Sequence, residues 1–341
     1  MKILVTGGAG FIGSNFVRHV MKKDSSLEVV VLDKLTYAGN LENLAEVSGE
    51  SRYSFVKGDI CDDAAVRSAM KGCDIVLNFA AETHVDRSIG DPGGFVQTDV
   101  YGAYILLEAA KDLGVGRFIQ ISTDEVYGER MESPATEQST LMPRNPYAAS
   151  KAGGDRLAFS YWATYGLPVV ITRCSNNYGP YQYPEKLIPL FTTNAIEDQP
   201  LPVYGSGKNI RDWIHVQDHA EALDVVMRAD DHVNGEVYNV CAENALSVLE
   251  ITDKIIGALG KPKDLIRHVK DRQGHDRRYW LTSQKLRDQL GWQLRYTFDE
   301  GVDDTVKWYA QNLDWWQKIK SGEFLDYYKR QYAELASEPS S

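Results

Sequence analysis

Short apolar runs separated by segments of helical period fill the first half of the chain. The runs KILVT (2–6), EVVVLD (28–33), YSFVKG (53–58), DIVLNFA (74–80), RFIQIS (117–122) and PVVITR (168–173) are rich in β-branched residues and do not alternate with polar ones. That is the pattern of strands buried on both faces. Between them, apolar positions recur at helical spacing, predicting helices over 13–21 and 95–113. A βαβα rhythm implies an α/β fold of Rossmann type, with a doubly wound parallel sheet. After about residue 174 the rhythm breaks into NNYGPYQYPEKLIP, with Pro180, Pro184 and Pro189. A strand-like GEVYNV (235–240) and further helices follow, and the aromatic-rich segment from Trp308 to Tyr332 is expected to form core, domain or dimer contacts. We expect residues 1–175, with about 212–243, to form the doubly wound half. About 176–211 and 244–341 would form a smaller mixed C-terminal domain.

The apolar run ending at Ser122 is followed at once by Thr123, Asp124 and Glu125. Side chains on an extended strand alternate faces, so the two acids share a site only if the strand has already ended. In doubly wound sheets, ligands bind outside the carboxyl ends of the strands, where these residues would lie. Bulk properties narrow the ligand. A formal charge of −11 over 341 residues argues against nucleic acid or an anionic membrane as partner. An anionic ligand must then be met by local positive charge or by backbone amides. Cys61, Cys73, Cys174 and Cys241 lack metal-type spacing, so we expect no metal and reduced thiols in a cytoplasmic protein. The first strand begins at residue 2, leaving no room for a signal peptide, and no apolar stretch is long enough to span a bilayer.

TGGAGFIGS follows the first strand and opens a helix, with Gly7, Gly10 and Gly13 at G-x-x-G-x-x-G spacing around Phe11 and Ile12. Such glycines permit a tight turn and close approach of a pyrophosphate to the helix start, whose free amides favour anions. Asp33 ends the second strand twenty positions beyond Gly13. A carboxylate there suits ribose hydroxyls and repels a 2′-phosphate, favouring NAD over NADP, with Lys34 tempering that choice. The first half is therefore expected to be the NAD-binding domain. Asp59, ending the third strand, could bond adenine or cap the next helix.

Tyr147 and Lys151 stand four apart in YAASK after Pro146, a spacing that puts them on one face of a helix. An ammonium beside a phenol is expected to lower the tyrosine pKa, giving a base for an alcohol that loses hydride. YxxxK arises by chance in a chain with 19 tyrosines, so its weight comes from following a dinucleotide motif and Ser122-Thr123.

Here the chain resembles the extended short-chain dehydrogenase/reductases, and more closely the dTDP-glucose 4,6-dehydratases. TGGAGFIGS, LDKLTYAGN, FAAETHVDRSI, STDEVYG, PYAASKAGGD, RCSNNYGPYQYPEKLIPLF, IRDWIHVQDH and DRQGHDRRY carry the resemblance over nearly the whole length. Sugar-nucleotide epimerases generally have uncharged residues where this chain has Asp124 and Glu125. The resemblance implies that Tyr147 takes the glucose 4-hydroxyl proton as carbon 4 passes hydride to NAD. Glu125 then removes the proton at carbon 5, Asp124 protonates the departing 6-hydroxyl, and NADH returns hydride to carbon 6. Two close carboxyls push their pKa values apart, which suits one acid and one base.

By the same resemblance, Thr36, Ile60, Ala80, Ala81, Glu82, Thr98 and Asn177 lie on the cofactor side. Thr123, His84, Asn176, Lys186, Leu187, Pro202, Tyr204, Arg211, Asn244, Arg272 and His275 would face a nucleotide-sugar substrate. Around Asn244 the chain reads NVCAENALS where relatives usually have glycines after NV. A homodimer through helices like 95–113 and 149–165 is also implied, and apolar residues on more than one face of both would suit it. Two other functions stay open: a sugar-nucleotide 4-epimerase, which needs no paired acids, and a non-catalytic NAD-binding regulator. The residues do not separate thymidine from uridine.

Overall fold

The computed structural model describes residues 1–271, 275–321 and 323–332. In chain order the strands are β1 (Lys2–Thr6), β2 (Glu28–Asp33), β3 (Tyr53–Lys57), β4 (Ile75–Asn78), β5 (Arg117–Thr123), β6 (Val169–Cys174), β7 (Asn176–Tyr178), β8 (Leu201–Tyr204), β9 (Ile210–His215), β10 (Val237–Val240), β11 (Ala245–Ser247) and β12 (Ile266–Val269). Seven of them form one parallel sheet in the order β3-β2-β1-β4-β5-β6-β10. The order reverses between β1 and β4, the switch point at which doubly wound sheets open a crevice.

Both sheet faces are buried, which explains why the strands do not alternate. Ile3, Val5, Val29 and Val31 enter one core with Phe16, Val20, Leu223 and Val226. The intervening Leu4, Val30 and Leu32 enter the other, with Leu106, Leu107 and Ala158. A third core joins Ile188, Leu190, Phe191, Ile251, Ile255, Val302 and Val306 in the later part of the chain. There β7 pairs parallel and β11 antiparallel with β9, and β12 pairs parallel with β8. The aromatic segment packs within the chain: Tyr309, Trp315 and Trp316 are buried against Tyr181 and Trp308. Among the described residues no helix is long and apolar enough to cross a membrane.

Two expected elements change. The fourth strand is shorter than 74–80, because the backbone leaves the sheet after Asn78 to line the crevice. The segment 95–113 is not one α-helix: Pro92–Val96 leads into a π-helical stretch at Gln97–Gly102 before Ala103–Leu113. The widened turn seats Asp99, whose carboxylate accepts from Glu82 N (3.1 Å) and Ser150 Oγ (2.6 Å). Its carbonyl leaves room only for glycine at Gly154, where a Cβ would lie 2.4 Å from Asp99 O. Helical periodicity does not distinguish one extra residue in a turn.

Candidate active site

A cleft of about 440 Å³ runs along the carboxyl ends of β1, β2, β4, β5 and β6 and continues to Lys186, Pro202, Arg211 and His275. That volume is within the range of small-molecule sites. At one end, Gly7, Gly10 and Gly13 form the turn into the helix Phe11–Lys23. Gly7 has φ +66°, and a Cβ at Gly13 would sit 2.4 Å from Gly7 O, so side chains are excluded from the turn. Asp33 lies buried at the end of β2, accepting from Ala9 N (3.0 Å) and Leu35 N (2.8 Å). Burial raises its pKa, while the two amides oppose the rise. Lys34 pairs with Asp59 at 2.6 Å, so its charge is offset within the site. Asp59 does not cap the next helix; Asp62 does, and Asp59 accepts from Cys61 N (2.9 Å) instead. A glycine turn at a helix start, a carboxylate at the second strand and a compensated cation fit a dinucleotide without a 2′-phosphate.

Further along, β5 ends at Thr123 and the chain turns immediately into a 3₁₀ helix, Asp124–Tyr127. Thr123 caps it: its hydroxyl accepts from Glu125 N (3.3 Å) and donates to Asp124 Oδ1 (3.1 Å). The strand's end thus puts both neighbouring acids into the same cleft. Asp124 is buried, and its Oδ2 has no hydrogen-bond partner among the described residues. Burial, reinforced by Glu125, pushes its pKa up to about 8. Glu125 Oε2 accepts from Asn145 Nδ2 (3.1 Å) and Tyr279 OH (3.2 Å). Tyr279 OH also lies 2.7 Å from Asp276 Oδ2.

The helix Pro146–Tyr165 opens with Asn145 as its cap and brings Tyr147 and Lys151 to the cleft. Tyr147 is buried in the cleft wall, and its pKa is raised rather than lowered, by burial first and then by the charges of Glu125 and Asp99. This corrects the expectation from the YxxxK spacing. The Lys151 ammonium donates to Ile121 O at 2.8 Å.

Among the described residues, every expected site residue except Asn244 lines this cleft. Phe11, Ile12, Thr36, Ile60, Ala80, Ala81, Glu82, Thr98 and Asn177 lie with the glycine turn and strand ends. His84, Asn176, Lys186, Leu187, Pro202, Tyr204, Arg211 and His275 lie toward the smaller part. Asn244 is not a lining residue; its Nδ2 donates to Trp213 O (3.4 Å), on a strand that does line the cleft. Arg272 lies outside the described residues. Lys186 donates to Thr83 Oγ1 (3.0 Å), and Arg211 lies over the Tyr279 ring at 4.2 Å.

Several contributors escape a reading of the sequence. Glu185 is buried in the lining, paired with Arg87 (2.9 Å) and accepting from Tyr37 OH (3.0 Å). Tyr279 is 154 residues from the acid it contacts, and no local signal reveals that. Asn145 could have been found, since Asn before Pro is a helix-start signal.

Comparison with known proteins agrees with this geometry. The family model described as GDP-mannose 4,6 dehydratase matches residues 4–305. A dTDP-glucose 4,6-dehydratase of Streptomyces niveus is 51% identical, over 94% of this chain and 96% of that one. A dTDP-glucose 4,6-dehydratase of Streptomyces venezuelae, solved with NAD bound, superposes with a TM-score of 0.91 at 47% identity, covering 94% of this chain and 100% of that chain. A Thermus thermophilus UDP-glucose 4-epimerase solved with NAD is more distant: 31% identity, TM-score 0.84, with 92% and 100% of the two chains covered.

Proposed function

This chain belongs to the GDP-mannose 4,6 dehydratase family, and we infer that its reaction is the NAD-dependent dehydration of dTDP-glucose to the 4-keto-6-deoxy sugar, a hydro-lyase activity. One observation carries the reading beyond the family. Asp124 and Glu125 are adjacent in sequence, line one cleft with Tyr147, and differ in surroundings. A buried Asp124 with a pKa of about 8 holds a proton at neutral pH. Glu125, held by Asn145 and Tyr279, is placed to accept one. An oxidation alone requires neither.

Bound NAD supplies hydride acceptance from carbon 4 of the sugar and its return to carbon 6. The chain's own residues move the protons. Tyr147 takes the 4-hydroxyl proton, with Thr123 orienting that hydroxyl. The phenol's pKa is raised by burial first and then by Glu125 and Asp99, a rise that a cationic nicotinamide beside it would oppose. Glu125 removes the proton at carbon 5, made acidic by the neighbouring ketone, and Asp124 delivers its proton to the 6-hydroxyl, which leaves as water.

We assign residues 1–175 with about 212–243 to the NAD-binding domain. About 176–211 and 244–341 form the substrate domain, with Lys186, Arg211, Arg272 and His275 meeting the phosphates. Val96, Tyr101, Tyr104, Trp162 and Tyr165 are exposed on neighbouring helices, and we assign this apolar face to a homodimer in the cytoplasm. Incubating the pure protein with dTDP-glucose and following product mass tests the reaction. Loss of one water without net NAD consumption is expected. An unchanged mass with an altered sugar configuration would indicate epimerisation instead, and an unaltered substrate would indicate a non-catalytic protein.

A further inference from the structure

His219 sits in the helix Val216–Arg228, wholly buried, and takes no part in the proton transfers above. Its Nδ1 lies 2.8 Å from Asn177 Oδ1, while its Nε2 has no hydrogen-bond partner among the described residues. Asn177 is the middle residue of β7, lines the cleft and is itself buried. Its Nδ2 lies 3.0 Å from Ser175 O, and its backbone carbonyl accepts from Gln182 Nε2 at 2.9 Å.

These contacts determine two hydrogens that coordinates alone leave open. A carbonyl can only accept, so the Asn177 atom facing Ser175 O must be the amide nitrogen. The Asn177 oxygen then faces His219 Nδ1, and two acceptors cannot be neighbours there without a hydrogen between them. Nδ1 therefore carries the hydrogen and Nε2 is bare. A second hydrogen on Nε2 would leave a buried charge with no partner, and burial holds the imidazole's pKa down to about 3. The neighbouring Cys174 also lines the cleft. The Cys174 thiol lies 3.4 Å from Ser122 O, at the end of the strand that leads into Thr123 and Asp124.

We propose that His219 is a positioning residue: as the neutral Nδ1–H tautomer it locks the Asn177 carboxamide in one flip, with N–H to Ser175 O and C=O to the imidazole, and so fixes the residue at the nicotinamide end of the cleft. The reverse flip would set oxygen against Ser175 O and leave the buried imidazole hydrogen unanswered. The assignment of that end to nicotinamide rests on the function proposed above; the tautomer and the flip do not.

Three variants separate hydrogen bonding from packing. His219→Asn places an amide nitrogen where Nδ1 stood, His219→Gln places it one carbon further out, and His219→Phe fills the space without a donor. NAD affinity is measured by calorimetry on cofactor-stripped protein, with thermal unfolding as the folding control. We expect His219→Asn to bind NAD within about threefold of the native protein and the other two about tenfold more weakly. Equal binding by all three folded variants, or equal loss by Asn and Phe, overturns the proposal. Nitrogen NMR of the native protein gives an independent reading across pH 5.5 to 8.5. A protonated Nδ1 with a bare Nε2 is expected throughout, and the opposite tautomer overturns the proposal while leaving the proposed function standing. Absence of NAD binding by the native protein, with the expected tautomer present, instead overturns the cofactor reading.

Discussion

At the scale of single residues, the site depends on what surrounds two adjacent acids. Asp124 is buried, accepts from the Thr123 hydroxyl and has its pKa pushed up to about 8, while Glu125 reaches Asn145 and Tyr279. Asp124→Asn should keep the shape and remove the transferable proton. Overall turnover should fall by roughly 10²–10⁴-fold, with the first oxidation preserved. Reduced-cofactor absorbance at 340 nm should therefore build up on the enzyme; a variant that binds NAD but never reduces it contradicts the assigned roles. The native enzyme carries a matching pH signature. Asp124 holds its proton below about pH 8 and loses it above, so the elimination should slow as pH rises through that value. The decline approaches tenfold per unit and is readable from single-turnover water loss. The identities and order of Thr123, Asp124, Glu125, Tyr147 and Lys151 were legible in the sequence. The direction of the Tyr147 shift was not, because it comes first from burial in the tertiary structure and then from Glu125 and from Asp99 of another helix.

At the scale of elements, the strands were legible because burial on both faces suppresses alternation, and their observed bounds differ by a residue or two at the ends. What holds the elements together was less visible. Arg117 opens β5, yet its buried guanidinium donates to the carbonyls of Val226 (3.3 Å), Met227 (3.0 Å), Ala229 (2.6 Å) and Asp230 (3.2 Å). The carbonyls of Val226 and Met227 belong to the last turn of the helix Val216–Arg228, and those of Ala229 and Asp230 follow it, where intrahelical donors run out. Arg117→Ala should leave them buried and unanswered, lowering stability by about 3 kcal/mol in urea titrations. Activity per folded molecule should be little changed, because Arg117 lies at the opposite end of β5 from Thr123. The π-helical turn at Gln97–Gly102 belongs to the same class of feature. It depends on Gly154 of a second helix accepting the Asp99 carbonyl, a contact without local trace.

For the whole molecule, the acidic balance and the exposed apolar face make opposite demands. A net charge of −11 keeps copies apart at long range, while Val96, Tyr101 and Tyr104 leave apolar surface in water. If that face joins two copies, the double variant Val96→Glu, Tyr104→Glu should run as a monomer in sedimentation while the native chain runs as a dimer. Identical sedimentation would place the interface elsewhere. The cleft, too, is a property of the whole. Its floor comes from strand ends near residues 7, 33, 80, 123 and 174, and its far wall from Lys186, Pro202, Arg211 and His275.

By itself, the sequence determined the sheet, the glycine turn, the carboxylate at the second strand and the paired acids at the fifth, because each is a local pattern of burial, backbone freedom or charge. Only the tertiary structure decided that Asp124 is buried, that Tyr279 and Asn145 reach Glu125, and that Asn244 is not a lining residue of the cleft. Proton affinity and hydrogen-bond partnership depend on which atoms are neighbours in space, and those neighbours are as many as 154 residues apart along the chain.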